Sequence, residues 1–283
     1  MILVVDSGAT KADWIAVDNE GKRIFSTQTK GLSPEAVDKT EIINRINERF
    51  DLSQNKEEVK KIYFYGAGCG SEGLKSIVYD ALNEYFTNAD VLVEEDTYGA
   101  VYATTEPGTK AIVCILGTGS NCSYFDGKKL NQKISSLGYL LMDDCSGNKL
   151  GGELVKAHNL RILPKELVEK LEAEYDMDIN EVKDNLYKKS NPNAYLATFA
   201  KFVIQNKEHE FLKAIIDRHM QYFIDYYINQ YENSKELPIN FVGSIAFYLK
   251  DELKKKLIEN GLKIGNVQRK PIDGLIDYHI KYQ

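Results

Sequence analysis

The sequence is poor in the residues that would assign it to a special class. Cysteine occurs four times in 283 residues (Cys69, Cys114, Cys122, Cys145), and no pair has Cys-x-x-Cys spacing, which excludes a zinc ribbon or a thioredoxin-type redox motif. The four histidines are scattered. His209 lacks the second histidine that a zinc-protease helix needs, so all four read as exposed helix positions. With only 6 prolines and no low-complexity run, the chain is not a disordered linker. A formal net charge of -6 lacks the clustered basic residues that displace counterions from nucleic acid. No apolar run approaches membrane-spanning length, and Met1-Ile2-Leu3-Val4-Val5-Asp6 has no basic leader. A cytoplasmic protein with neither nucleic-acid nor membrane partners is expected.

What is present is an ordinary globular composition, 43% hydrophobic and 28% charged, in a chain longer than one typical domain. Residues 2 to 6 are an apolar run, and 11 to 18 and 22 to 29 alternate, which predicts an antiparallel meander. A helix opened by Ser33-Pro34 follows, with Val37, Ile42, Ile43, Ile46 and Phe50 on one face. Strand 62 to 65, a glycine-rich loop, a helix over about 74 to 86 and strand 91 to 94 come next. After Glu106-Pro107-Gly108 the meander recurs: 111 to 116, a glycine corner, 122 to 125, a turn at Asp126-Gly127, then 129 to 134. The recurrence predicts internal duplication, with units at 1–107 and 108–283. A helical stretch over about 148 to 233 interrupts the second. The last helix is expected to pack back on the first.

Each meander bends at glycine: Asp6-Ser7-Gly8-Ala9-Thr10 in the first, Gly117-Thr118-Gly119-Ser120-Asn121 in the second. Bare backbone at such bends lets N–H groups approach a phosphate. In the first, Asp6 suits hydrated magnesium, Thr10 offers a hydroxyl and Lys11 a point charge for a terminal phosphate. In the second, Thr118, Ser120 and Asn121 are neutral donors. One such bend is commonly only a turn, but two at equivalent places point to ATP and a phosphotransferase. Asp96, just past a parallel-type strand, is the candidate general base, with a helix cap as its plain structural alternative. Asp143 and Asp144 suit sugar hydroxyls or magnesium, or else cap a helix. Gly243-Ser244, at a strand-to-helix bend, suits the adenosine moiety, or else is an ordinary connection. The tyrosine-rich segment 222 to 231 reads as a packed helix face.

These motifs resemble those of the N-acetylglucosamine kinases and the related BadF/BadG/BcrA/BcrD-type ATPases, in the actin, hexokinase and sugar kinase superfamily. The resemblance spans essentially the whole chain and is strongest in residues 6–11, 95–100, 115–122 and 138–147, with 241–246 resembling the adenosine motif. It implies an α/β fold of two ribonuclease-H-like, actin-like ATPase lobes with mixed sheets, ATP in the cleft, and γ-phosphate transfer to a sugar 6-hydroxyl. Asp96 falls at the family's catalytic aspartate. Gly8, Thr10, Gly117, Thr118 and Gly119 fall on its phosphate loops, and Asn121 and Asp143 on its amino-sugar contacts. Ser7 and Ala9 stand where the family usually has glycine, so their Cβ atoms are expected to narrow phosphate approach. The family's Gly-Trp-Gly is Ser136-Leu137-Gly138 here, which removes an aromatic sugar platform. The leading expectation is an ATP- and magnesium-dependent kinase of N-acetylglucosamine or a related amino sugar, with a homodimer left open. The alternatives are an ATPase that activates a redox partner and a nucleotide or sugar sensor without turnover.

Overall fold

The computed structural model describes residues 1–8 and 10–282, so Ala9 and the expectation attached to it lie outside the described residues. The chain forms two compact units, Met1–Pro107 with Lys270–Gln283, and Gly108–Arg269.

The first unit contains β1 (Ile2–Ser7), β2 (Lys11–Val17), β3 (Arg23–Lys30), α1 (Lys39–Asn47), α2 (Phe50–Gln54), β4 (Lys61–Gly66), α3 (Glu72–Tyr85), β5 (Asp90–Glu95), α4 (Asp96–Thr104) and the C-terminal helix (Pro271–Tyr282). Its sheet has the order β3-β2-β1-β4-β5. β1 is antiparallel to β2 and parallel to β4, and β4 is parallel to β5. One face buries Leu3, Val5, Trp14, Ala16, Ile62 and Phe64 beneath α1, α2 and α3. The other buries Val4, Ile15, Val17, Tyr63 and Tyr65 beneath α4 and the C-terminal helix. Each large apolar side chain contributes about 1.5–3 kcal/mol by leaving water, and a one-residue slip would exchange the faces. The core therefore dictates where the polar ends of β1 point. Ser7 must share the face of Leu3 and Val5, and Asp6 that of Val4.

Two expected boundaries moved. The helix predicted from Ser33-Pro34 begins at Lys39, because Asp38 Oδ1 accepts the Glu41 N–H at 2.8 Å and caps it there. The third strand of the second meander, expected over 129 to 134, is the two-residue edge strand Leu130–Asn131, which pairs on one side only.

The second unit runs through β6 (Ala111–Leu116), β7 (Ser120–Phe125), β8 (Leu130–Asn131), α5 (Gly147–Asn159), α6 (Lys165–Glu174), α7 (Ile179–Tyr187), α8 (Pro192–Thr198), α9 (Ala200–Gln205) and α10 (Glu210–Phe223). A π-helical turn (Ile224–Ile228), β9 (Pro238–Val242), α11 (Ser244–Tyr248), α12 (Lys250–Glu259) and β10 (Lys263–Gln268) complete it. The sheet order β8-β7-β6-β9-β10 repeats that of the first unit strand for strand, with the same parallel and antiparallel senses. Ile112, Cys114, Leu116 and Cys122 pack with the helices into one continuous core. Among the described residues no helix is long and apolar enough to cross a membrane.

Candidate functional site

In the first unit the site grows from strand ends. β1, β4 and β5 run parallel, so their carboxyl ends lie together, the place where open α/β sheets bind ligands. Asp6 stands at the end of β1, and Asp96 begins α4 directly after β5. Both are half-buried. Burial pushes Asp6 up to about 7, helped by the negative charges of Asp96 and Asp13 and opposed by Lys11 and Lys270. Burial and the Glu95 charge likewise push Asp96 up to about 7, opposed by hydrogen bonds from its own and the Thr97 backbone N–H. Glu95, not Asp96, occupies the cap position of α4, so the capping alternative is not realised, and Asp96 keeps a carboxyl poised near neutrality.

Antiparallel register sets Asp13 across from Asp6, and Gln28 across from Asp13, in one polar row above the core. Asp13 Oδ2 receives Lys11 Nζ at 3.3 Å and Lys270 Nζ at 3.1 Å, while the Gln28 amide donates to Oδ1. Burial alone would raise the Asp13 carboxyl, but the bonds from Gln28 and Lys270 and the nearby lysine charges outweigh it and lower it. Lys11 therefore rests on Asp13 with its side chain still about half exposed.

Ser7 corrects an expectation. It is fully buried, and its Oγ accepts the Leu32 N–H at 3.0 Å, so its Cβ lies on the α1–α3 face and does not narrow the bend. The Gly8 N–H closes the bend on the Lys11 carbonyl at 2.9 Å. A Cβ on Gly8 would meet only that carbonyl at 3.7 Å, an ordinary contact, so the fold does not demand glycine there. Thr10 is exposed, and its carbonyl accepts the Gly31 N–H at 2.9 Å.

The second bend is docked on the start of α5. The Gly147 N–H donates to the Gly117 carbonyl at 2.8 Å, and the Asn148 N–H to the Thr118 carbonyl at 3.1 Å. These carbonyls take up the orphan donors of the helix terminus. Asp143, held in the left-handed region at φ 70, leans on the bend from the side. A Cβ on Gly119 would lie 2.7 Å from Asp143 Oδ2, so any side chain there would displace the Asp143 carboxylate. Burial raises the Asp143 carboxyl, against hydrogen bonds from the Ser120 N–H and the Asn148 side chain. Asn121 Oδ1 accepts from Ser123 Oγ at 2.8 Å. Ser120 Oγ is buried with no partner among the described residues.

Asp144 does not join Asp143. Its Oδ2 accepts the Tyr227 hydroxyl at 2.8 Å from the π-helical turn, so it is held by the helical part of the unit. Gly243 has φ 120 and packs on the second bend; a Cβ there would fall 2.3 Å from the Leu116 carbonyl oxygen. Ser244 opens α11 and is exposed. Among the described residues no group of three or more His, Cys, Asp or Glu side chains is arranged to hold a metal. A magnesium ion would therefore rely on fewer than three protein carboxylates with water and phosphate oxygens, and Asp6, a carboxyl raised by burial and by the charges of Asp96 and Asp13, fits that role.

The chain matches the structure of the putative N-acetylglucosamine kinase of Porphyromonas gingivalis at 32% identity and TM-score 0.93, over 100% of this chain and 99% of that one. The chain belongs to this family of sugar kinases. It is accordingly an ATP-dependent phosphotransferase. The putative N-acetylglucosamine kinase of Chromobacterium violaceum shares the fold at 14% identity and TM-score 0.70, covering 98% of each chain. A ROK family glucokinase from Streptomyces griseus, solved with glucose and AMPPNP, shares it at 14% identity and TM-score 0.58, over 98% of this chain and 97% of that one. No protein-family model and no curated protein matches the chain.

Several residues around the candidate site escape sequence reading. Asp13 was recoverable, since an antiparallel hairpin closed by the Gly8–Lys11 pair sets position 6 across from position 13. Lys270, far along the chain from Asp13, carried no local signal, and neither did Asn148 or Tyr227. The tyrosine segment divides: Tyr227 and Tyr231 are buried, whereas Tyr222 and Tyr226 are exposed. The histidines are not uniformly exposed either. His279 is buried, bonded to the Tyr65 hydroxyl at 2.8 Å and stacked on Tyr63, because the C-terminal helix turns that face into the core.

Proposed function

We propose that the protein phosphorylates N-acetylglucosamine or a closely related amino sugar at its 6-hydroxyl. Asp96 accepts the hydroxyl proton as the sugar oxygen attacks the γ-phosphorus and the bond to the ADP oxygen breaks. The observation that carries this reading is a half-buried carboxyl held near pKa 7 at the end of the parallel strands, beside a second acid. An ordinary surface aspartate would be too weak a base to take an alcohol proton effectively.

Asp6 is the carboxylate that would hold hydrated magnesium, which when bound neutralises phosphate charge. Gly8 and Thr10 supply the first phosphate bend, and Lys11 is available to a terminal phosphate. Gly117, Thr118 and Gly119 form the second bend, with Gly243 and Ser244 beside it for the nucleoside. Asn121 and Asp143 contact the sugar, with Ser120 as a further hydroxyl. Asp144 serves it indirectly, through its bond to Tyr227. ADP release measured over a panel of amino sugars and their parent hexoses tests the assignment. Turnover that prefers N-acetylglucosamine and yields the 6-phosphate is the expected result, and ATP hydrolysis indifferent to every sugar would overturn it.

A further inference from the structure

Asn148 is buried within the first turn of α5, and its side-chain amide reaches two acceptors. Nδ2 donates to the Thr118 carbonyl at 2.7 Å and to Asp143 Oδ2 at 3.3 Å. The residue is 1% exposed, and both bonds are part-buried. Thr118 lies on the phosphate bend, and Asp143 is the acid whose carboxylate presses against Gly119. No other side chain among the described residues bonds both. The backbone N–H of Asn148 also holds the Thr118 carbonyl, at 3.1 Å.

We propose that Asn148 is the positioning residue of the second phosphate bend. It fixes the bend and Asp143 as one body, with the Gly117 and Thr118 carbonyls drawn back toward α5 and the Thr118 and Gly119 N–H groups turned to the ligand. The donor capacity of the amide is the essential property. A side chain that fills the same volume without a donor would leave the Asp143 oxygen and the Thr118 carbonyl short of a partner and let the bend turn. A carboxylate there would place negative charge against Asp143 and the incoming phosphates. The charged groups around Asp143 are Asp144 and Lys149, and neither bonds the bend. The inference rests only on the nucleotide half of the proposed function and is independent of which sugar is used.

The test measures the dissociation constant of magnesium AMPPNP from pH 5.5 to 8.5, without sugar, for the wild type, Asn148→Ala and Asn148→Asp. Asn148→Ala should weaken binding roughly tenfold, the equivalent of about one hydrogen bond. Asn148→Asp should weaken it further at pH 8. As pH falls, that variant should recover relative to the wild type, because protonation restores a donor at the same atom. A purely structural role would leave the ratio of the two constants flat with pH. If either variant fails to fold, Asn148→Ser, which keeps one donor, should bind between the wild type and Asn148→Ala. Folded variants that bind nucleotide as the wild type does across the range would overturn the proposal. Failure of N-acetylglucosamine phosphorylation would bear on the sugar alone.

Discussion

Asp96 acts electrostatically on Asp6: the charge at the start of α4 adds to burial in raising the carboxyl at the end of β1 to about 7. Asp96 is itself raised to about 7, by burial and the Glu95 charge, so the strand-end site holds two acids that are costly to ionise. Their common environment has consequences for both stability and rate.

Between about pH 4 and 7 the folded chain retains protons on these acids that the unfolded chain has released. Folded protein then binds more protons, so stability falls as pH rises across this window. The nucleotide-free protein should therefore lose thermal stability from pH 5 to pH 8. Asp6→Asn should melt several degrees higher than the wild type at pH 8, and the gap should close toward pH 5. It should also lower phosphotransfer severely. Thermal shift at the two pH values checks this, and a gap independent of pH would contradict it.

If Asp96 is the base, it must be ionised to act. The rate constant kcat/KM should fall about tenfold per unit below roughly pH 7, and Asp96→Asn should lower kcat by about 10²- to 10⁴-fold with nucleotide affinity nearly unchanged. Steady-state kinetics with a direct binding measurement separates the two effects. Wild-type turnover that is level down to pH 5.5 would remove Asp96 from the role.

The glycines should divide by cause. Gly243→Ala puts a methyl into the Leu116 carbonyl at a φ of 120, so a loss of roughly 2–4 kcal/mol in unfolding free energy is expected. Gly8→Ala meets no close atom, so its melting temperature should stay near that of the wild type while nucleotide binding weakens. Denaturant unfolding paired with nucleotide titration tests both, and equal effects on stability would contradict the distinction.

Ser7→Ala should behave as a core variant. It leaves the buried Leu32 N–H without its acceptor, at a cost of about 1–3 kcal/mol, and nucleotide affinity should not change. A large affinity change at constant stability would mean that Ser7 faces the ligand after all.

Much of this was legible from local pattern. Two apolar strands bending at glycine gave the two bends and the repeated α/β fold, because strand periodicity and glycine's bare backbone are properties of a few adjacent residues. Asp96 was legible because it directly follows a strand. Asp143 and Asp144 read alike as neighbours in sequence, yet one rests on Gly119 and the other on Tyr227. Nothing local separates them, since their partners come from distant segments.

The sequence by itself determined that strands end in acid and glycine. Strand periodicity also placed Ser7 on the side of Leu3 and Val5 and Asp6 on the side of Val4, but with both sides of β1 buried it did not decide which of the two end side chains is enclosed. Only the tertiary structure decided what surrounds them. Lys270 reaches Asp13, Asn148 joins Thr118 to Asp143, and packed strand ends bring Asp96 to bear on Asp6. The reason is physical: a carboxyl's proton affinity depends on desolvation and nearby charge, and both are supplied by chain segments remote in sequence.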